Sequence, residues 1–343
     1  MPRTALIHPA VWTGAELSGR GEWNHILDPH EQADLRAIAD AVSGAVAEPR
    51  EPGRQSPDDF PLPRLTRRLE QIRTELEDGA GAVRLRGLPR DGLSDDQCRA
   101  VSWAIAVHLG TPVSQSGAGE KIFSIRDAGF GNDDPRSRGP NTSRELSFHT
   151  DRADVTAFTC LQPASRGGDN EIVSSMAVYN AILQQRPEYV EALTAPFYYL
   201  RHNVDAGNDR PWCRQPVFSF AEDHFACCLL RVLIERAHQD SRLPDLTPTQ
   251  VRALDMVESV ARERGRSLRF RQERGDMVLV NNWVILHKRT AFEDVEDSPL
   301  QRHILRIWLA MPNSRPLDPV FRDNWGAVEA GAVRGGMRAT VTT

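Results

Sequence analysis

Two short segments, far apart in the chain, carry residue types that can share a metal. One reads Ser147-Phe148-His149-Thr150-Asp151. The other reads Asn281-Asn282-Trp283-Val284-Ile285-Leu286-His287 and is followed by Arg302-His303-Ile304-Leu305-Arg306. Two histidines and one carboxylate with coordination positions left open are the donor set of the non-haem Fe(II) facial triad. If the two segments meet in space, the chemistry they support is the activation of O2.

The spacing has to be tested against its elements, because His-x-Asp occurs twice, at His149/Asp151 and at His238/Asp240. On an extended chain residues i and i+2 share a face, so both side chains can reach one ion. On a helix they diverge by about 200°. Arg144–Phe148 leads into His149 with extended character, whereas His238 falls at the end of a helical stretch over Arg231–Gln239 and reads as a surface residue. His287 ends an apolar run in which Trp283, Ile285 and His287 share a face if the strand is regular. His303 competes for the third position, but it shares its face with Leu305, Ile307 and Leu309, which suits packing against helices. The opposite face carries Arg302, Ile304, Arg306 and Trp308. Two arginines on such a face need anions or water. They make either two structural salt bridges or the wall of a cavity that binds dianions.

The remaining elements read as helices alternating with many short strands. Asp28-Pro29-His30-Glu31 opens a helix that runs to about Val42. Further helices are expected at Leu65–Glu77, from Ser94 to near Gly110, at Met176–Gln185, Glu188–Thr194 and Thr249–Arg264. Strands are expected at Ala82–Leu88, Lys121–Arg126, Phe158–Leu161, Glu171–Ser174, Leu268–Gln272, Met277–Trp283, Ile285–Lys288 and Ile304–Ala310, with a hairpin at 217–229. The stretch Ala47–Pro63 reads as a mobile surface loop. Gly117–Arg144 is rich in Gly, Asn, Asp and Ser and leads into His149, as a lid or substrate loop would. Short strands decorated by helices imply a barrel or sandwich core.

Composition narrows the partners. A chain of 343 residues with 40% hydrophobic content can bury a large core. Net charge is −5, and no basic stripe points to nucleic acid. Only Lys121 and Lys288 are lysines among 42 basic residues, so any single arginine is a weak signal here. The five cysteines show no CxxC spacing, which fits a reducing cytoplasm. No apolar stretch reaches the length of a membrane span. The expected partner is a small molecule, and the sequence carries no signal for the oligomeric state.

The segments SFHTD (147–151), GGDN (167–170), GDMVLVNNWVILHKRTAF (275–292) and RHILRIWL (302–309) resemble, in order, the taurine dioxygenase/clavaminate synthase-like family of Fe(II)- and 2-oxoglutarate-dependent oxygenases. The resemblance covers about Ala82–Pro312. It implies an α+β fold, a double-stranded β-helix (jelly roll) core with flanking helices. One domain would span 1–343: an N-terminal helical elaboration over 1–78 with its mobile loop at 47–63, and a core over 82–312 with a helical insert around 230–265. By the same resemblance His149, Asp151 and His287 are the iron ligands, and Arg302 pairs with the far carboxylate of 2-oxoglutarate. Asn170 stands where relatives have a threonine that touches 2-oxoglutarate. Arg306 matches a position that contacts substrate in some members. The cofactors implied are Fe(II), 2-oxoglutarate and O2.

The expected reaction is hydroxylation of an unactivated C–H, with succinate and CO2 as co-products. Asp151 argues against halogenation, since halogenases of this superfamily lack that carboxylate. Related desaturation or cyclisation is the alternative, as is a metal-dependent hydrolase on the same ligands. Glu145, Arg152 and Arg306 are the substrate-contact candidates. Arg306 would suit an anion and Glu145 an amine, which together point to an amino-acid-like metabolite.

Overall fold

Three apolar strands form the centre of the molecule. In this computed structural model, which describes residues 4–42, 56–129, 141–201, 208, 210–295 and 300–338, Met277–Asn281, Val155–Gln162 and His303–Ala310 lie side by side and antiparallel. Ala82–Arg86 and then Asn24–Ile26 extend one edge of this major sheet, the last pair being parallel. Thr111–Val113 and Ile122–Ile125 both pair with His303–Ala310 on the other side. A minor sheet of Leu268–Phe270, Asn170–Ser174 and Ile285–Arg289 completes the second wall. The two walls are those of a jelly roll, with helices added in the α+β manner.

Every residue of His303–Ala310 is buried, because both faces of the strand are covered. Leu305, Ile307 and Leu309 pack with Val101, Ile105, Leu69 and Ile72 of the helices Asp95–Leu109 and Thr66–Glu77. Each such fully buried side chain contributes on the order of 1.5–3 kcal/mol. His303 turns to this helix side, against Asp95 and Ser124, so it is no metal ligand. The other face, with Arg302, Ile304, Arg306 and Trp308, lines a cavity.

The helix starts follow from their caps. Asp28 accepts from the backbone N–H groups of His30 and Glu31, and Glu31 reaches back to the Asp28 N–H, opening Pro29–Ala41. Ser94 with Gln97 and Thr247 with Gln250 repeat this reciprocal box, which satisfies donors the helix leaves open. The hairpin Phe218–Ala221/His224–Cys227 closes through Glu222 and Asp223 at positive φ, the geometry of a tight two-residue turn.

The strand expected over Met277–Trp283 ends at Asn281, and residues 282–284 form a turn. Asn281 closes that turn through its side-chain oxygen, which accepts from the Trp283 N–H, and its carbonyl, which accepts from Val284. Trp283 therefore does not share the face of His287. It is buried against Phe321 and Trp325. The turn carries the chain from the major to the minor sheet. The edge strand Asn24–Ile26 and the pair Phe197–Leu200/Trp212–Gln215 were not anticipated. Of the expected mobile loop at 47–63 and the expected lid or substrate loop at 117–144, residues 47–55 and 130–140 lie outside the described residues; residues 57–59 form a single 3-10 turn. Among the described residues no helix is long and apolar enough to cross a membrane.

Candidate active site

The two distant segments meet through backbone pairing. The His149 N–H donates to the His287 carbonyl and the His287 N–H to the His149 carbonyl, both at 3.0 Å. This isolated antiparallel bridge sets the imidazole centroids 4.4 Å apart. Asp151, two residues on, is held by its backbone N–H, which donates to Asn282 Oδ1 at 2.9 Å. One ligand atom from each of His149, Asp151 and His287 lies within 4.8 Å of the others. No other such cluster occurs among the described residues, so the His238/Asp240 pattern gathers no third donor.

The donor chemistry fits a divalent metal. His149 Nδ1 sits 2.8 Å from the Ser147 carbonyl. A carbonyl only accepts, so Nδ1 carries the proton and Nε2 keeps its lone pair for the metal. His287 Nε2 lies 3.6 Å from Asp151 Oδ2. Burial, then the neighbouring His149, lower the His287 pKa to about 3, so this ring too is a neutral donor. Burial alone would raise the Asp151 carboxyl, but the Arg306 guanidinium and the two histidines outweigh it and hold the group at about 2. The carboxylate is thus charged and ready to ligate.

Bracing residues surround Asp151. Thr156 Oγ1 donates to Oδ2 at 3.0 Å and accepts from Asn282 Nδ2 at 3.1 Å. Arg306 Nη1 lies 3.3 Å from Oδ1, and its Nε donates to Gln115 Oε1 at 2.6 Å. By sequence Arg306 is a substrate-contact candidate; in the fold its guanidinium meets the Asp151 carboxylate. Thr156, Asn282 and Gln115 were not anticipated. Asn282 lies inside the 275–292 motif, whereas Thr156 and Gln115 give no sequence signal. Partners behind a metal ligand are worth about 10–100-fold in metal affinity. Thr156→Val is expected to loosen Fe(II) or Mn(II) by that order, read by metal titration. Unchanged affinity would remove Thr156 from the support of Asp151.

The triad opens onto a cavity of about 1250 Å³. Arg302 lies in its wall and is buried. Its Nη1 has no hydrogen-bond partner, its guanidinium carbon sits 5.1 Å from the Phe292 ring, and burial lowers its pKa to about 10. An orphaned, buried guanidinium facing a cavity suits the planar fork of a carboxylate. Asn170 also lines the cavity and donates to Gln272 Oε1 at 3.2 Å. Arg152 lines it and donates to the Asn324 carbonyl. Glu145 lines it as well, but its carboxylate is held by Lys288 at 3.1 Å and Arg262 at 3.2 Å.

Comparison with known proteins agrees with this geometry. Residues 47–308 match the family model described as "Taurine catabolism dioxygenase TauD, TfdA family", and the chain belongs to that family. It is 31% identical over 313 residues to FR-33289 synthase of Streptomyces rubellomurinus, covering 89% of this chain and 90% of that protein. It is 25% identical to the taurine hydroxylase-like protein SAT17 of Stachybotrys chartarum, covering 91% and 84%. Among solved structures, asparagine oxygenase in complex with Fe(II), 2S,3S-3-hydroxyasparagine and succinate is similar at a TM-score of 0.65 and 19% identity, covering 93% of this chain and all of that one. The non-haem iron oxygenase OrfP with Fe, succinate and (3S)-hydroxy-L-Arg is similar at 0.62 and 15%, covering 83% and 94%. This chain is accordingly a non-haem Fe(II)- and 2-oxoglutarate-dependent dioxygenase. His149, Asp151 and His287 are the cluster among the described residues that could hold its metal.

Proposed function

We propose that this dioxygenase hydroxylates an unactivated C–H of a small, polar, amino-acid-like metabolite, using a single domain that works in the cytoplasm. One observation carries the reading: the His149/Asp151/His287 donors open directly onto a cavity lined by side chains of both charges. Arg152, Arg201 and Arg236 lie in its wall together with Arg231, which pairs with Glu235, Asp255 and Glu258, an environment matched to a charged, polar ligand rather than to an apolar one. The solved neighbours bound to 3-hydroxyasparagine and 3-hydroxyarginine support the same class. Five free, buried cysteines support a reducing compartment.

Bound at the triad, ferrous iron and 2-oxoglutarate supply the oxidising chemistry that consumes O2 and releases succinate and CO2. The protein's part is placement. His149 and His287 present neutral nitrogens from two paired backbones. Arg306, Thr156 and Asn282 hold Asp151 in register, and Arg302 receives the far carboxylate. Buried walls exclude water from the reacting atoms. In this reading Arg152 faces the substrate's anion, Arg201 being already paired with Asp323. Glu145 serves through Lys288 at the rim rather than as a free acceptor for an amine, because both its cations are already in place.

The test supplies Fe(II), 2-oxoglutarate and O2 with a panel of free amino acids and other amine-bearing acids, following O2 uptake, succinate and product mass. The expected result is succinate formed one-for-one with a product carrying one added oxygen atom. Turnover of 2-oxoglutarate with no amine-bearing candidate hydroxylated would overturn the substrate class. No O2 uptake dependent on Fe(II) and 2-oxoglutarate would overturn the reading as a whole.

A further inference from the structure

Six arginines are buried among the described residues: Arg201, Arg289, Arg302, Arg306, Arg315 and Arg334. Four have a carboxylate within ion-pair distance. Arg201 meets Asp323 at 2.8 Å, Arg306 meets Asp151 at 3.3 Å, and Arg315 meets Glu77 and Arg334 meets Asp154, both at 2.7 Å. Arg289 and Arg302 have none. Each also keeps a buried N–H without a partner, Nε in Arg289 and Nη1 in Arg302. The hydrogen bond from the Arg289 side chain goes to the Arg144 carbonyl, and Asp127 acts on it only from beyond ion-pair distance.

These two cations feel one another's charge through space. Their guanidinium carbons lie 4.7 Å and 5.1 Å from the centroid of the same Phe292 ring, and both side chains line the cavity. Arg289 follows His287 by two residues on Ile285–Arg289, so the strand alternation that aims His287 inward aims Arg289 inward as well. Two adjacent buried like charges without a counter-anion are costly. Every other buried arginine among the described residues is paired, so an anionic ligand would complete the pattern.

We infer that Arg289 is a second binding residue for 2-oxoglutarate, donating to the distal carboxylate that Arg302 also holds. This rests on the cosubstrate reading above. A carboxylate has about four lone-pair sites, enough to accept from one guanidinium fork and from the Nε–H of another. Arg289 would thereby select for cosubstrates that carry a distal negative charge.

The experiment titrates anaerobic Fe(II)-loaded protein by calorimetry with 2-oxoglutarate and with 2-oxobutyrate, which lacks the distal carboxylate. Wild type is compared with Arg289→Met, Arg289→Lys and Arg302→Ala. Arg289→Met is expected to weaken 2-oxoglutarate by roughly ten- to a hundredfold, the range of a lost charge-assisted hydrogen bond, and to leave 2-oxobutyrate unchanged. Arg289→Lys should recover part of the loss. Wild-type affinity for 2-oxoglutarate in Arg289→Met, or equal weakening of both ligands, would overturn the assignment, since a merely structural role cannot distinguish them. Should Arg302→Ala also bind 2-oxoglutarate normally, the cosubstrate site itself is elsewhere, which is a separate failure.

Discussion

Asp151→Ala is expected to abolish substrate hydroxylation, with metal affinity reduced by roughly two orders of magnitude or more. Loss of a partner behind a metal ligand already costs about 10–100-fold, and here the ligand itself is removed. The substitution also strands its neighbours. Arg306 is buried and has Asp151 as its one ion-pair partner among the described residues, so the variant leaves an uncompensated cation beside the metal site. That charge repels a divalent ion and adds to the loss of a donor. Metal stoichiometry after anaerobic reconstitution, together with succinate and product formation, checks both parts. Substrate-dependent succinate at the wild-type rate in this variant would take Asp151 out of the metal site. Asp151→Glu keeps the charge against Arg306 but moves the oxygens by one methylene, and it should retain more metal than activity.

The second large effect falls on stability. Asp154, three residues beyond the triad carboxylate, is the hub of a buried polar network. Its Oδ1 accepts from Arg334 Nε at 2.7 Å and from Trp283 Nε1 at 2.8 Å, and its Oδ2 accepts from the Met311 N–H at 2.9 Å. Its backbone carbonyl accepts from the Asn282 N–H. Arg334 continues the network to the Arg315 carbonyl, and Arg315 continues it to Glu77. The network ties the C-terminal segment to the turn that precedes His287. Asp154→Ala leaves Arg334, with a fully buried side chain, unpaired. Breaking such a pair costs about 3–5 kcal/mol, which should lower the thermal midpoint by on the order of 10 °C. Differential scanning calorimetry of the metal-loaded protein reads this directly. A midpoint within a degree or two of wild type would show that the network carries little of the stability. Asp154→Asn keeps the hydrogen-bond acceptor without the charge and should fall between the two.

Much of the site was legible because its signals are local. His149 and Asp151 are separated by one residue, the spacing at which an extended chain gives both side chains one direction. Arg302, Ile304, Arg306 and Trp308 alternate with His303, Leu305, Ile307 and Leu309, so period-two patterning alone divides cavity wall from helix-facing core. The helix starts at Asp28, Ser94 and Thr247 announce themselves through capping residues three positions apart. The turn at 282–284 was not legible, because its apolar residues continue the strand pattern while the Asn281 side chain closes the backbone. The bracing of Asp151 by Gln115 also left no local trace. Those residues are 36 positions apart and join through Arg306, which belongs to a third segment.

The sequence by itself determined the kinds of donor present, the strand faces that carry them and the family to which the chain belongs, since each depends on residues close together along the backbone. The tertiary structure decided how those residues are used. It placed His149 opposite His287 through a pair of backbone hydrogen bonds, turned Arg306 to the carboxylate, closed Glu145 between two cations, and left Arg289 and Arg302 without anions. Such outcomes depend on which charges burial brings within a few ångströms of one another, and pattern along the chain does not encode distance between segments.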